Sequence, residues 1–336
     1  MNTNEQMLRA LTCSGVLLNV SVRYWRARKR LEAEDLGIDP ARLSGRLISL
    51  GHKKLLPKEA LAEFALIESR ARAVAEECSF PFLGGIARFL PNPGIGGALE
   101  RLDGLKVEFM DARARFLDGY GRLRAEALDE WRREADGLTA APERLLAAVA
   151  EAFPESSELE RRFGFDVHMY EIRAPESMRR ELVAAGEQMA VADARAQAAG
   201  RARQEIESSV RGFVRDAVAT MREETARLCE EMLESIKGSK TGVHQKTLNR
   251  LERFIDRFAE LNFADDRELE LQLAEARRTL LSQTATEYRD SKYAQERLRD
   301  GLRGLADTAR EMATRDAREI VDSFGALGRR KIHRAA

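Results

Sequence analysis

The sequence predicts a mainly α protein, an elongated bundle of long amphipathic helices with a small β ribbon near residues 18–25 and 163–172. Three observations carry this expectation. All 8 prolines lie at or before Pro175, so the rest of the chain lacks the residue that most reliably ends a helix. Apolar residues recur at helical spacing over long stretches. A third of the chain is charged (33%), yet 56 Lys+Arg balance 56 Asp+Glu, a mixture that suits solvated helix faces better than disorder.

Composition divides the chain into a basic, loop-rich region (1–98), a helical region with a short strand (99–175) and a proline-free helical bundle (176–336). The opening residues show no clear helical period. From there Leu18, Val20, Val22 and Tyr24 alternate with Asn19, Ser21, Arg23 and Trp25, the period of two that marks a strand. Phe163, Phe165, Val167 and Met169 make a second alternation. Two such segments in a helical chain should pair, because a lone strand leaves its backbone groups unsatisfied.

Between these strands Leu102, Phe109, Phe116 and Leu123 recur every seven residues, with Leu105 and Ala112 in the intervening positions. This is a coiled-coil-like seam that must be covered. The proline-free helices of the same chain are the expected cover, and self-association is the alternative. Helical spacing then runs through Met178, Leu182, Met189, Ile206, Val210, Phe213, Ala217, Leu228 and Met232. After a loop at Gly238-Ser239-Lys240-Thr241-Gly242 comes a helix with Leu248, Leu251, Phe254, Ile255, Phe258 and Leu261 on one face. A turn over 262–266 leads to a helix through Leu269, Leu273, Ala276 and Leu280. A last helix, 288–324, uses Leu298, Leu302, Leu305, Ala309 and Met312. Such short connections favour antiparallel neighbours.

Several function classes find no footing. No uncharged run approaches the roughly 18 residues of a membrane span, and no cleavage site follows the uncharged run 10–22, so neither a membrane nor secretion is expected. Cys13, Cys78 and Cys229 form neither a metal spacing nor a disulfide framework, which suits the cytoplasm. His52, His168, His244 and His333 share no ligand spacing, so no metal and no cofactor is expected. The Gly238–Gly242 loop has phosphate-loop residue types in the wrong order and no strand before it. A hydrolase assembled around His168 or His244 is the weakest reading.

Two segments stand out. Residues 1–58 hold 11 Lys+Arg against 5 Asp+Glu. The cations concentrate in Arg23, Arg26, Arg28, Lys29 and Arg30, beside Tyr24 and Trp25. Such a cluster suits phosphates along the chain with a base stacked on Tyr24 or Trp25; the plain alternatives are a strand end running into a solvated turn and a surface that meets an acidic protein. The second segment, 79–98, carries Pro81, Pro91, Pro93, five glycines and Phe80, Phe82, Ile86, Phe89 and Leu90, with Arg88 its single charge. It is either a buried lining loop or an exposed hook for a partner, in which Phe80, Phe82, Arg88 and Phe89 would make the contact.

Leu50-Gly51-His52-Lys53-Lys54-Leu55-Leu56-Pro57-Lys58, then Phe80-Pro81-Phe82-Leu83-Gly84-Gly85, then Val107-Glu108-Phe109 through Phe116-Leu117 and Tyr120, resemble a bacterial family, domain of unknown function 3150. Val243-His244-Gln245-Lys246-Thr247-Leu248-Asn249-Arg250-Leu251, with Phe254, Phe258 and Asn262-Phe263, is similar to its later block. The resemblance carries no catalytic residue. It implies a context: genes of this family are often neighbours of a MoxR-type AAA+ ATPase and of a protein with a von Willebrand factor A domain. The expected function is therefore a non-enzymatic cytoplasmic adaptor acting with such partners. The alternative is a nucleic-acid-binding module built on Arg23 to Arg30.

Overall fold

In chain order the elements are α1 (Thr3–Ser14), β1 (Gly15–Arg23), β2 (Arg28–Arg30), β3 (His52–Lys54), α2 (Ala62–Cys78), β4 (Phe80–Phe82), β5 (Ala87–Pro91), α3 (Ile95–Leu138), α4 (Pro142–Ala152), α5 (Ser156–Glu160), β6 (Gly164–Tyr170), α6 (Met189–Gly238), α7 (Gln245–Leu261), α8 (Arg267–Leu280), α9 (Ala285–Asp290) and α10 (Lys292–Thr314). A short helix over 318–324 follows. The computed structural model describes residues 3–40, 49–171, 189–238, 242–315 and 317–324. Met178, Leu182, the loop residues Ser239 to Thr241 and the basic tail lie outside the described residues, as does Ile172. The protein is mainly helical, with small antiparallel sheets.

The chain forms two compact units. One joins Val20–Glu77 to Gly97–His168; the other joins Met1–Asn19, Cys78–Gly96 and Met169–Ala336. Each unit draws on more than one of the three stretches that composition marks out.

In the first unit α3 buries Ala98, Leu102, Leu105, Phe109, Ala112 and Phe116, then Tyr120, Ala127 and Ala135. The heptad seam is followed as far as Phe116. Beyond it Leu123 is only half-buried, and Tyr120 and Ala127 take the inner line. A helix of 3.6 residues per turn drifts about 20° per heptad unless it supercoils, so the buried line moves off a strict seven-residue repeat. At Phe109 and Phe116 the cover comes from within the unit, where the proline-free helices were expected to supply it. Phe64 of α2 meets Phe109 and Phe116 edge-on at 5.5 and 5.7 Å, and Phe163 lies 5.4 Å from Phe116. Tyr120 donates its hydroxyl to the Pro154 carbonyl at 2.8 Å, and burial pushes its pKa up to about 12.

The two alternating segments do become neighbouring strands: β6 flanks β1, and Arg23 on β1 bonds Asp166 on β6 at 2.8 Å. The start of β1 belongs to the second unit, where it pairs with β5, Gly15 opposite Pro91 through Leu18 opposite Arg88. Gly15 is required there, since a Cβ would stand 2.4 Å from the Leu90 carbonyl oxygen.

The second unit is a set of helices around two apolar clusters. α7 buries all six residues named from its spacing, and α8 buries its four. Asp266 caps α8 at the Leu269 amide and, itself buried, takes two bonds from Arg222 of α6 at 2.7 and 3.1 Å. Arg222 also donates to the Met312 carbonyl of α10 at 2.7 Å, so one guanidinium ties three helices together. The last helix is broken where one run was expected. Ser291 accepts from the Ala294 amide and starts α10 afresh after α9, because a side-chain oxygen at that position satisfies an otherwise orphaned donor. The opening, which shows no clear period, is helical: Met7, Leu8 and Leu11 of α1 pack with Val210, Val214 and Phe324.

Candidate polyanion-binding ribbon

The chain leaves β1 after Arg23, and the next two side chains turn inward together. Tyr24 stacks on Phe64 at 5.5 Å and Trp25 meets Tyr120 edge-on at 5.9 Å. They are 8% and 5% exposed, so neither ring is available to stack on a base, which corrects the expectation for both. Arg26 lies over the Tyr24 ring, 3.9 Å from its centre, and pairs with Glu68 at 2.9 Å. Arg23 is held by Asp166. Of the cluster Arg23 to Arg30, Tyr24 and Trp25 are therefore committed to the core, while Arg23 and Arg26 are exposed and paired with carboxylates at the surface.

Ala27 then breaks the extended course of the chain. It is buried and adopts a left-handed conformation, φ 47°, unusual for a residue with a Cβ. Its carbonyl accepts from the Leu55 amide at 2.8 Å, which brings in β3. Antiparallel pairing sets Arg28 opposite Lys54, Lys29 opposite Lys53 and Arg30 opposite His52. Directly opposed residues share a face and successive residues alternate. Arg28, Arg30, His52 and Lys54 therefore stand on one face, all exposed, while Lys29 and Lys53 belong to the other. At the open end, the Leu31 amide bonds the Gly51 carbonyl at 3.1 Å, and Gly51 takes φ 78°, which glycine adopts without strain.

Lys53 explains how so basic a ribbon is held down. Its side chain is buried, with Nζ 2.6 Å from Asp35 Oδ2. Asp35 also accepts from the Glu32 amide at 2.9 Å. Burial tends to raise the Asp35 pKa, but the two hydrogen bonds and the Lys53 charge outweigh it and hold the carboxyl below its ordinary value. One cation points in and is neutralised. Arg28, Arg30 and Lys54 point out on the opposite face, with His52 among them.

Alternate residues of a strand are about 6.6–6.8 Å apart and neighbouring strands about 4.8 Å. Opposed and alternate positions on this face thus lie within about one Debye length, roughly 8 Å at physiological salt, so Arg28, Arg30 and Lys54 act on an anion as one field. Arg30 has an exposed neighbour, Glu32, at 3.6 Å, a pair that costs little to exchange for a phosphate. Sequence reasoning found Arg28, Lys29 and Arg30 but missed His52 and Lys54. The signal for them was present as His52-Lys53-Lys54, three basic residues in a row before a proline.

The loop 79–98 resolves differently. Phe80, Phe82 and Phe89 are 6%, 2% and 0% exposed, packed with Phe213 and Phe263. Arg88 turns back on its own loop, donating Nε to Ser79 Oγ and Nη2 to the Ser79 carbonyl, both at 2.8 Å. Of the two alternatives it is the buried lining, and the four residues expected to hook a partner are core and scaffold. The large apolar side chains it leaves in solvent are at the tip, Ile86 82% and Leu83 45% exposed.

Among the described residues no group of three or more His, Cys, Asp or Glu is placed to hold a metal ion, and no described helix is long and apolar enough to cross a membrane. Cys229 is buried, which pushes its thiol up to about 12. No curated protein and no solved structure matches the chain. The family model described as "Protein of unknown function (DUF3150)" matches residues 13–287, and the chain belongs to that family.

Proposed function

We propose that the protein is a non-enzymatic binding protein that holds the phosphates of a nucleic acid on the outward face of the β2–β3 ribbon. The observation that carries this is the register, which sets Arg28, Arg30, His52 and Lys54 on one exposed face. A two-stranded ribbon fits a nucleic-acid groove, and binding through phosphates alone needs only clustered cations. The three cysteines, none of them in a disulfide, support the reducing cytoplasm as the setting. The test is titration of a labelled single strand of about 16 nucleotides, the upper end of one binding site, at about 50 and 200 mM salt. Binding that weakens steeply with salt is the expected result. No binding at the lower salt overturns the reading.

A second reading is an adaptor beside a MoxR-type AAA+ ATPase and a von Willebrand factor A domain protein; it rests on the gene context that the family resemblance implies, the family match itself naming no partner. This reading no longer draws on Phe80, Phe82, Arg88 or Phe89, which are buried or turned inward. Co-purification of the full chain with either partner is its test, and recovery of the free chain alone opposes it.

A further inference from the structure

Beside the ribbon the same unit has an open groove of about 260 Å³, lined by Lys54, Leu56, Pro57, Glu130, Trp131 and Glu134 among others. Its volume falls just short of the roughly 300 Å³ at which pockets for drug-sized ligands begin, so it suits a single ring system. Three features say what kind of ring. Lys54 belongs both to the outward ribbon face and to the groove wall, so the groove continues directly from the phosphate-binding surface. Trp131 is half-buried, and its indole N–H is already donated to the Lys54 carbonyl at 3.1 Å. With that donor occupied, what the residue offers a ligand is its ring. Glu130 and Glu134, one helical turn apart on α3 and both exposed, bring carboxylate acceptors to the same wall.

From this continuity we infer that the groove takes one unpaired base from a single strand whose phosphates lie on the ribbon, and that it prefers a base with an exocyclic amino group. Unstacked bases are recognised by stacking on aromatic side chains and by hydrogen bonds to their polar edge. A carboxylate accepts from the cytosine N4 amino group, whereas the thymine edge presents a carbonyl at that position and would meet the glutamates acceptor to acceptor. A base locked in a duplex cannot enter. A basic peptide would satisfy the glutamates, but the outward cations of the adjoining ribbon oppose its approach. The inference rests on the ribbon reading and adds to it a groove that the ribbon does not require.

The experiment uses the full chain with 15N-labelled tryptophan, whose two indole signals are assigned with Trp131→Phe. Oligo-dC, oligo-dT and a duplex of equal length are the probes. The expected result is that oligo-dC moves the Trp131 signal and binds roughly tenfold tighter than oligo-dT, the scale of one base-edge contact, and roughly tenfold tighter than duplex, the scale of one stacked base. Trp131→Ala should abolish that preference, Trp131→Phe should keep most of it, and Glu130→Ala with Glu134→Ala should equalise dC and dT. If all three probes bind with the salt dependence of the ribbon and leave Trp131 unmoved, the groove inference is overturned while the ribbon reading stands. If no oligonucleotide binds at low salt, both fail. A Trp131 signal moved by a leucine-arginine peptide and by no oligonucleotide would assign the groove to a protein partner and overturn the inference.

Discussion

The basic segment 23–30 and the apolar loop 79–98 stand out equally in the sequence, and the fold treats them in opposite ways. In the loop, Phe80, Phe82 and Phe89 go to the core, and the large apolar side chains left in water are Ile86 and Leu83 at the tip. In the basic segment, Tyr24 and Trp25 go to the core and Arg28 to Arg30 come out on a strand. The difference shows that unusual composition alone does not mark a working surface. Aromatic groups are buried wherever the chain can reach a core, since each gains about 1.5–3 kcal/mol by leaving water. A cation is buried only where it finds a partner, as Lys53 does with Asp35. What remains outside after this sorting is the candidate site.

The comparison can be broken most forcefully at the loop. Phe89→Ala is expected to cost about 3–5 kcal/mol of stability, read by urea unfolding, because its ring is fully buried against Phe213 and Phe263. A loss below about 1 kcal/mol would show that the ring is not core. Phe116→Ala, at the centre of the α3 stripe, belongs to the same class and should cost about as much without changing the mass in solution.

The ribbon anchor comes next. Asp35→Asn leaves Lys53 buried beside a neutral group, and removing one partner of a buried pair costs about 3 kcal/mol. Because the Asp35 pKa is lowered in the folded state, its contribution is present above the unfolded value of about 3.9 and is lost as pH falls through the folded value. The wild type should therefore lose an acid-sensitive increment of stability that Asp35→Asn lacks, and parallel stability curves below about pH 5 would contradict this. The smallest effects belong to the surface. Ile86→Ser at the loop tip should change stability by no more than about 0.5 kcal/mol and leave nucleic-acid binding untouched.

How much of this was legible depended on how many residues repeat a pattern. The spacing of Leu248 to Leu261 and of Leu269 to Leu280 identified the buried faces of α7 and α8, because four or more apolar residues in register define a helical stripe. β1 and β6 were legible for the same reason. The β2–β3 ribbon was not. Each of its strands is three residues long, too short for a period of two to repeat, and every residue in it is basic, so no hydrophobic pattern exists. What sets it is a left-handed Ala27 and a positive φ at Gly51, neither visible as a motif. The inward turn of both Tyr24 and Trp25 was hidden because the alternation from Leu18 assigned them to opposite faces, and the strand ends one residue before Tyr24. Trp131 carries no signal at all until the fold sets it beside Lys54.

The measurement that tests the central claim most directly is the salt dependence of single-strand binding for the full chain and for its Arg28→Ala, Arg30→Ala, Lys54→Ala variant. The three residues are exposed, so stability should stay within about 0.5 kcal/mol and the comparison is between folded proteins. Each cation that neutralises a phosphate contributes about 0.7 to the slope of log affinity against log salt on a single strand. The account predicts that the variant binds weakly and that its slope is shallower by about 2. A variant that keeps the wild-type affinity and slope would contradict it, and would place any nucleic-acid contact elsewhere on the molecule.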